Sequence, residues 1–343
     1  MSIRVLIVDD SPTMRALLGE LLRRADDIEV VGTAANANEA RAAIRQLDPD
    51  VVTLDIEMPG MSGLEFLEKL MRLRPTPVVV VSGLTSRGAE TTVQALALGA
   101  VDCYAKPVGR IGDLLNCDNG QLAELVRAAA AVRSPSRRAL ATTAERTIPV
   151  ARRTHARLIA IGSSTGGVEA LQVLLGGFPA NCPPTVVVQH INGHFAEAVA
   201  RRLDAQCAPT ICLAETDTVL RPGHVYIAPG NDRHLQISGS GGQIVSRLRP
   251  GDLVSGHRPS VDALFHSVAQ SVGADAVGIL LTGMGSDGAH GLLAMRKAGA
   301  TTIAQDEATC TVFGMPRAAI ELGAAERVAA IQDIADHVVG RAA

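Results

Sequence analysis

Hydrophobic and polar positions along residues 1–126 repeat one unit five times: a short β-branched run, then a stretch with helical spacing. The runs are IRVLIV, EVVGTA, VVTL, PVVVVS and VDCYA. After the first run, Ser11 is a cap candidate and Pro12 suits the first helical position. Met14, Leu17, Leu18, Leu21 and Leu22 then share one face. This alternation predicts an α/β fold with a doubly wound parallel sheet, whose functional groups gather at the carboxyl ends of the strands. The pattern resumes at residue 158. LIAIGSSTGGVEALQVLL and AVGILLTGMGSDGAHGLLAMRKAG each read as a buried strand, a Gly-rich turn and a helix, and TVVVQH reads as a further strand.

Composition narrows the class. A chain of 343 residues with 47% apolar and 20% charged side chains has material for about two cores. A net charge of −3 disfavours nucleic acid as a partner. No apolar run approaches the roughly 18 residues a membrane span needs, so no membrane insertion is expected. The opening MSIRVLIVDDS sets two aspartates directly behind a short apolar run, unlike a signal peptide. Six cysteines without metal or disulfide spacing read as reduced thiols of a cytoplasmic protein. Residues 127–157 hold eight arginines against one acid and few large apolar side chains, the composition of a tether. The expected organisation is a first domain over 1–122, a linker over 123–156 and a second domain over 157–343.

The strand ends of the first half carry its chemistry. Asp9 and Asp10 follow the first run, Asp55 ends the third, Ser82 the fourth, and Lys106 follows the fifth. Carboxylates converging at one edge repel unless a cation sits among them, and an oxygen-only ligand set suits Mg²⁺. A lysine and a hydroxyl at that edge would contact phosphate oxygens. Singly, each aspartate could be no more than a helix cap.

The segments VLIVDDSPTMR, VVTLDIEMPGMSGLEFL, VVVVSGLT and AVDCYAKP make residues 1–122 similar to the flavodoxin-like receiver domains of two-component signalling. The resemblance implies Asp55 as phosphate acceptor. It implies Asp10 and Asp55 as Mg²⁺ ligands, helped by Asp9 through water and by the Glu57 carbonyl. Ser82 and Lys106 would bind the phosphoryl oxygens, and Lys106–Pro107 would be a cis peptide. One position departs from the family. Its switch aromatic normally stands three residues before the lysine, where this chain has Cys103; Tyr104 comes one place later and so points to the other strand face.

In the second half, two readings of the glycine-rich turn compete. A dinucleotide site would want an acid at the end of the next strand, but that strand ends in Gln189 and His190. Gly162-Ser163-Ser164-Thr165-Gly166 also satisfies G-x-S-x-G, which puts Ser164 on a sharp strand-to-helix turn. A nucleophilic serine needs a base, and the base needs a carboxylate. Of nine histidines, only His190 closes a buried strand run. Asp287 in the later Gly-rich turn is the carboxylate candidate; as an ordinary N-cap it would have no such role. The order Ser–His–Asp departs from that of the lipases and esterases sharing the motif.

The segments IGSSTGGVEAL, VVVQHI, LRPGHVYIAPGNDRHL, PSVDALFHSVA, GILLTGMGSDGAHGLLAMRKAGATTIAQDEATC and VFGMPRAAIELG resemble the Rossmann-like catalytic domain of the chemotaxis protein-glutamate methylesterases, the CheB family. The receiver–linker–catalytic order resembles the same family. The resemblance implies Ser164 as nucleophile, His190 as base and then acid, and Asp287 as orienting carboxylate. The backbone N–H groups of Thr165 and Met284 are candidate oxyanion donors. It also implies methyl-accepting chemotaxis receptors as substrate, with methanol released, and a chemotaxis histidine kinase as phosphoryl donor; glutamine deamidation by the same chemistry stays open. Mg²⁺ is implied in the receiver and no cofactor in the catalytic half. The unphosphorylated receiver would block the catalytic cleft. Two other classes remain at this point: a constitutive small-ester hydrolase, and a response regulator that only binds. The first would want an aromatic-lined pocket, yet the chain has five Phe, two Tyr and no Trp.

Overall fold

The computed structural model describes residues 2–83, 85–107, 118, 120–132, 156–230, 232–240 and 242–340. They fall into two compact units, and each is taken by itself. Of the expected linker, residues 133–155 lie outside the described residues.

The first unit alternates β1 (Ile3–Val8), α1 (Pro12–Arg23), β2 (Ile28–Ala34), α2 (Ala37–Leu47), β3 (Val51–Asp55), α3 (Gly63–Leu73), β4 (Val78–Ser82), α4 (Ser86–Ala97), β5 (Asp102–Ala105) and α5 (Gln121–Ala130). Its parallel sheet has the order β2-β1-β3-β4-β5. The order reverses between β1 and β3, the place where such sheets open a crevice at their carboxyl edge. Local chemistry starts α1 as expected: Ser11 Oγ accepts the Met14 N–H at 3.3 Å and Pro12 opens the helix. Leu17, Leu18, Leu21 and Leu22 pack with Val5, Ile7, Val79 and Val81 of the sheet. Each buried leucine contributes about 1.5–3 kcal/mol relative to exposure.

Two expectations are corrected here. The boundary at residue 122 falls inside α5, whose Leu122 and Val126 are fully buried in the first unit's core. Leu122, Val126 and Ala129 recur at helical spacing, and that face outweighs the Ala/Arg-rich composition that suggested a tether from residue 123. The Lys106–Pro107 peptide is trans, since Arg258–Pro259 is the cis bond among the described residues. Trans is favoured even before proline, by about 0.5–1 kcal/mol.

Cys103 and Tyr104 are both buried, on opposite faces of β5. Tyr104 joins the cluster under α1 and α5, and its hydroxyl donates to Asp118 Oδ1 at 2.7 Å. Burial, reinforced by Asp118, pushes its phenol up. The Cys103 thiol is pushed well up, by burial first and Asp102 second.

The second unit runs β6 (Leu158–Ser163), α6 (Gly167–Gly176), β7 (Thr185–Gln189), α7 (Gly193–Asp204), β8 (Thr210–Leu213), β9 (Thr218–Val219), β10 (His224–Ile227), β11 (Arg233–Ser240), β12 (Gln243–Pro250), α8 (Val261–Ser271), β13 (Ala276–Leu280), α9 (Ala289–Lys297), β14 (Thr301–Gln305), α10 (Met315–Glu321), β15 (Arg327–Ala329) and α11 (Ile331–Val339). Seven strands form a parallel sheet in the order β15-β14-β13-β6-β7-β10-β8. Leu158, Ile159, Ala160, Ile161, Val186, Val187 and Val188 are shielded on both faces, as parallel strands require. From β6 the chain moves outward through β7, and later from β13 outward the other way. The neighbours β6 and β13 therefore mark the switch point. A separate antiparallel sheet, β11-β12-β9, was not expected. Leu235 and Ile237, two residues apart on β11, pack with Leu264 and Phe265 of α8. After β12 the chain returns to the carboxyl edge through residues 251–260. Among the described residues, no helix is long and apolar enough to cross a membrane.

Candidate active site

Three adjacent strands deliver the second unit's candidate residues. Ser164 follows β6, His190 follows β7, and Asp287 lies in the turn between β13 and α9. Asp287 is fully enclosed, and its carboxylate is saturated with donors. Oδ1 accepts from Ser260 Oγ (2.8 Å) and the Asp262 N–H (3.0 Å). Oδ2 accepts from the Val261 N–H (2.7 Å) and lies 2.8 Å from His190 Nε2. These donors sit at the start of α8, where the helix also favours a negative charge. Burial alone would raise the Asp287 pKa; the His190 ring and the backbone donors overcome it and hold the carboxyl below its ordinary value. Asp287 is thus not a mere cap, because one helix start and one imidazole share it.

With Nε2–H donating to Asp287, the neutral His190 ring keeps Nδ1 as its lone-pair nitrogen. That atom is buried and has no hydrogen-bond partner. Ser164 is half-buried, and its Oγ makes no hydrogen bond among the described residues. The backbones are nonetheless tied together. The Ser163 carbonyl accepts the His190 N–H at 2.9 Å, and the Gln189 amide donates to the carbonyls of Ser164 (2.9 Å) and His190 (3.1 Å). Nucleophile–base contacts are often long before substrate is bound.

The turns around Ser164 are packed to the backbone. A Cβ on Gly167 would collide with the Gln189 side chain, and one on Gly283 with Met315 and the Ser164 Cβ. Thr165 is buried behind the turn, where Thr282 Oγ1 donates to its carbonyl at 3.0 Å. The Thr165 and Met284 N–H groups, the expected oxyanion donors, have no hydrogen-bond partner among the described residues.

Several supporting residues escaped the sequence reading. His257 stacks on His190 with ring centroids 3.9 Å apart and planes 11° apart. Ser260 binds Asp287, and its own N–H donates to His234 Nδ1 at 3.2 Å. Gln305 accepts the Thr282 N–H at 2.8 Å. Gln189 was visible as a strand-end residue. His257 and Ser260 lie in a loop whose path depends on the antiparallel sheet, which was not expected from the sequence.

At the carboxyl edge of the first unit, Asp9, Asp10 and Asp55 bring carboxylate oxygens within 4.8 Å of one another. Asp9 and Asp55 are buried and Asp10 is exposed. Asp9 Oδ1 accepts the Ser11 N–H (2.9 Å) and Asp55 Oδ1 the Glu57 N–H (3.0 Å). Lys106 Nζ stands 2.7 Å from Asp55 Oδ2 and 3.0 Å from Asp9 Oδ2, ion pairs by distance. Neither oxygen receives a well-directed hydrogen bond. Three converging carboxylates, two buried and one exposed, with one ammonium against them, fit a hard divalent cation. Burial raises the Asp55 pKa against the pull of Lys106. For Lys106, burial lowers the pKa, but Asp55 and Asp9 outweigh it and the ammonium is held above its ordinary value. Ser82 is buried at the end of β4, its hydroxyl 3.3 Å from the Gly88 carbonyl. The structure thus gathers Asp9, Asp10, Asp55 and Lys106, with Ser82 and Glu57 at the same edge.

These two edges define an α/β protein of response-regulator type whose second unit carries a Ser–His–Asp constellation. Residues 5–116 match the response regulator receiver domain and residues 159–338 the CheB methylesterase model. A protein-glutamate methylesterase/protein-glutamine glutaminase of Agrobacterium fabrum is 53% identical over 98% of this chain and 95% of its own length. One from Caulobacter vibrioides is 52% identical over 98% and 97%. The crystal structure of the Thermotoga maritima CheB methylesterase catalytic domain covers 54% of this chain and 97% of its own. It is 37% identical, with a TM-score of 0.52. The chain belongs to the CheB methylesterase family, with a receiver domain ahead of the catalytic domain.

Proposed function

We propose that this chain is a cytoplasmic serine esterase that hydrolyses glutamate methyl esters on methyl-accepting chemotaxis receptors, with its rate raised by phosphorylation of Asp55. The carrying observation is the 2.8 Å contact between His190 Nε2 and the enclosed Asp287 carboxylate, at the end of the strand beside the one leading to Ser164. His190 Nδ1 takes the Ser164 Oγ proton as Oγ attacks the ester carbonyl. The oxyanion that forms is met by the Thr165 and Met284 N–H groups. His190 returns the proton to the departing methoxy oxygen, methanol leaves, and water activated by the same nitrogen hydrolyses the glutamyl–serine ester. On a glutamine side chain the same steps would release ammonia.

In the receiver, Asp55 accepts the phosphoryl group from a chemotaxis histidine kinase, and Lys106 and Ser82 contact its oxygens. Asp9, Asp10, Asp55 and the Glu57 carbonyl would hold Mg²⁺, which supplies positive charge for the incoming phosphoryl oxygens. With the switch-aromatic position held by Cys103, Tyr104 is fixed to Asp118 on the other strand face, so the signal leaves Asp55 by a route other than rotation of that aromatic.

The test is methanol release from methylated receptor membranes by the wild type and by Ser164→Ala. Loss of release in the variant, with its fold retained, is the expected result. Equal release by both would refute the reading.

A further inference from the structure

The Asp287–His190 contact leaves a mechanical question. One hydrogen bond at Nε2 fixes a point on the imidazole, but the ring remains free to swing about it and carry Nδ1 away from Ser164. Asp287 cannot prevent this, because its other interactions anchor the carboxylate and not the ring. His257 lies face to face with His190, at 3.9 Å between centroids and 11° between planes. We infer that His257 is a positioning residue for the esterase reaction, one that clamps the plane of the catalytic base so that Nδ1 stays aimed at the nucleophile; this rests on the reading of the site proposed above.

The clamp is itself held rigidly. The His257 backbone pairs with Val254 in both directions, at 2.9 and 3.1 Å. Ser255 Oγ donates to the buried Asp262 at 2.8 Å, tying the turn to the start of α8. Three residues beyond His257, Ser260 donates to Asp287. A single short segment therefore fixes both the carboxylate and the base. Burial first, and the neighbouring His190 second, lower the His257 pKa to about 4. The clamp thus stays uncharged around neutral pH and does not oppose the positive charge His190 takes up during the reaction.

The roles of shape and of substrate contact separate in kinetics. Methanol release from methylated receptor membranes would be measured for the wild type, His257→Ala and His257→Phe, with Ser164→Ala as the blank. The inference predicts a 10- to 100-fold lower kcat for His257→Ala at a KM within about twofold of wild type. His257→Phe, which keeps a flat ring, should recover to within about threefold of wild type. Circular dichroism and Tm establish that each variant folds. If His257→Ala keeps full kcat, if it acts mainly through KM, or if a folded His257→Phe is as slow as alanine, the inference is overturned. If the wild type releases no methanol above the Ser164→Ala blank, the esterase reading itself has failed, a distinct outcome.

Discussion

Asp287 meets His190 at Nε2, 2.8 Å away, and the nitrogen left over, Nδ1, is buried without a partner. On the proposed reading of the site, this relationship decides which atom does the chemistry. A carboxylate with four donors around it holds the ring in one tautomer, and only Nδ1 is then free to move a proton. The serine is held through its backbone and the base through its carboxylate, from adjacent strands of one sheet.

Asp287→Asn should therefore retain the fold but lose the tautomer. An amide can accept on one side only, so two donors, either His190 and Val261 or Ser260 and Asp262, face an NH₂ group. The expected loss in methanol release is about 10³–10⁴-fold, with a stability cost of about 1–3 kcal/mol for each buried donor left unpaired. Activity within tenfold of wild type would contradict this.

Gly167→Ala tests the packing behind the nucleophile. A methyl group there displaces Gln189, which holds the carbonyls of Ser164 and His190. Overpacking of this kind costs about 1–3 kcal/mol. Activity should fall by more than the unfolded fraction explains, measured as active-site titre against Tm.

The acidic edge should respond to Mg²⁺ as a stability effect. Burial raises the Asp55 pKa, so its ionised form is a liability that grows as pH rises above the ordinary carboxylate value. Mg²⁺ should raise the receiver Tm of wild type at pH 7 and leave Asp55→Asn nearly unmoved. Without Mg²⁺, Asp55→Asn should melt higher than wild type, Lys106 keeping Asp9 as its partner.

His257 gives a second pH signature. Its pKa falls from 6.5 unfolded to about 4 folded, so between these values the unfolded chain binds the extra proton. Its contribution is complete above pH 6.5 and is lost as pH drops toward 4. The catalytic unit's Tm should decline less over that window in His257→Phe than in wild type, by differential scanning calorimetry.

Tyr104→Phe removes the hydroxyl that reaches Asp118. The receiver should lose about 0.5–1.5 kcal/mol while its phosphorylation rate stays unchanged, measured by denaturant titration and phosphoryl incorporation. Loss of donor-stimulated methanol release by a Tyr104→Phe variant that is phosphorylated normally would put Tyr104 in the switch after all.

Much of this was legible in the sequence. The β-branched runs with helical spacing between them specified the first parallel sheet and strands β6, β7 and β13 of the second, because burial on both faces demands continuous apolar strands. Asp9, Asp55, Lys106, Ser164, His190 and Asp287 were each visible as polar residues closing or following such runs. What stayed hidden depends on long-range geometry. Helix α5 was cut because its buried face is carried by Leu122, Val126 and small alanines in an arginine-rich context. His257 and Ser260 owe their places to a loop set by the β11–β12–β9 sheet, and no local pattern in residues 251–260 points to His190.

The central claim joins the two units: phosphorylation at Asp55 controls esterase chemistry at Ser164. The most direct measurement is methanol release from methylated receptor membranes, with and without Mg²⁺ plus a small-molecule phosphoryl donor, for wild type, Asp55→Asn and Ser164→Ala. The account predicts donor-stimulated release by wild type, unstimulated basal release by Asp55→Asn and none by Ser164→Ala. Release by Ser164→Ala, or full donor stimulation of Asp55→Asn, would contradict it.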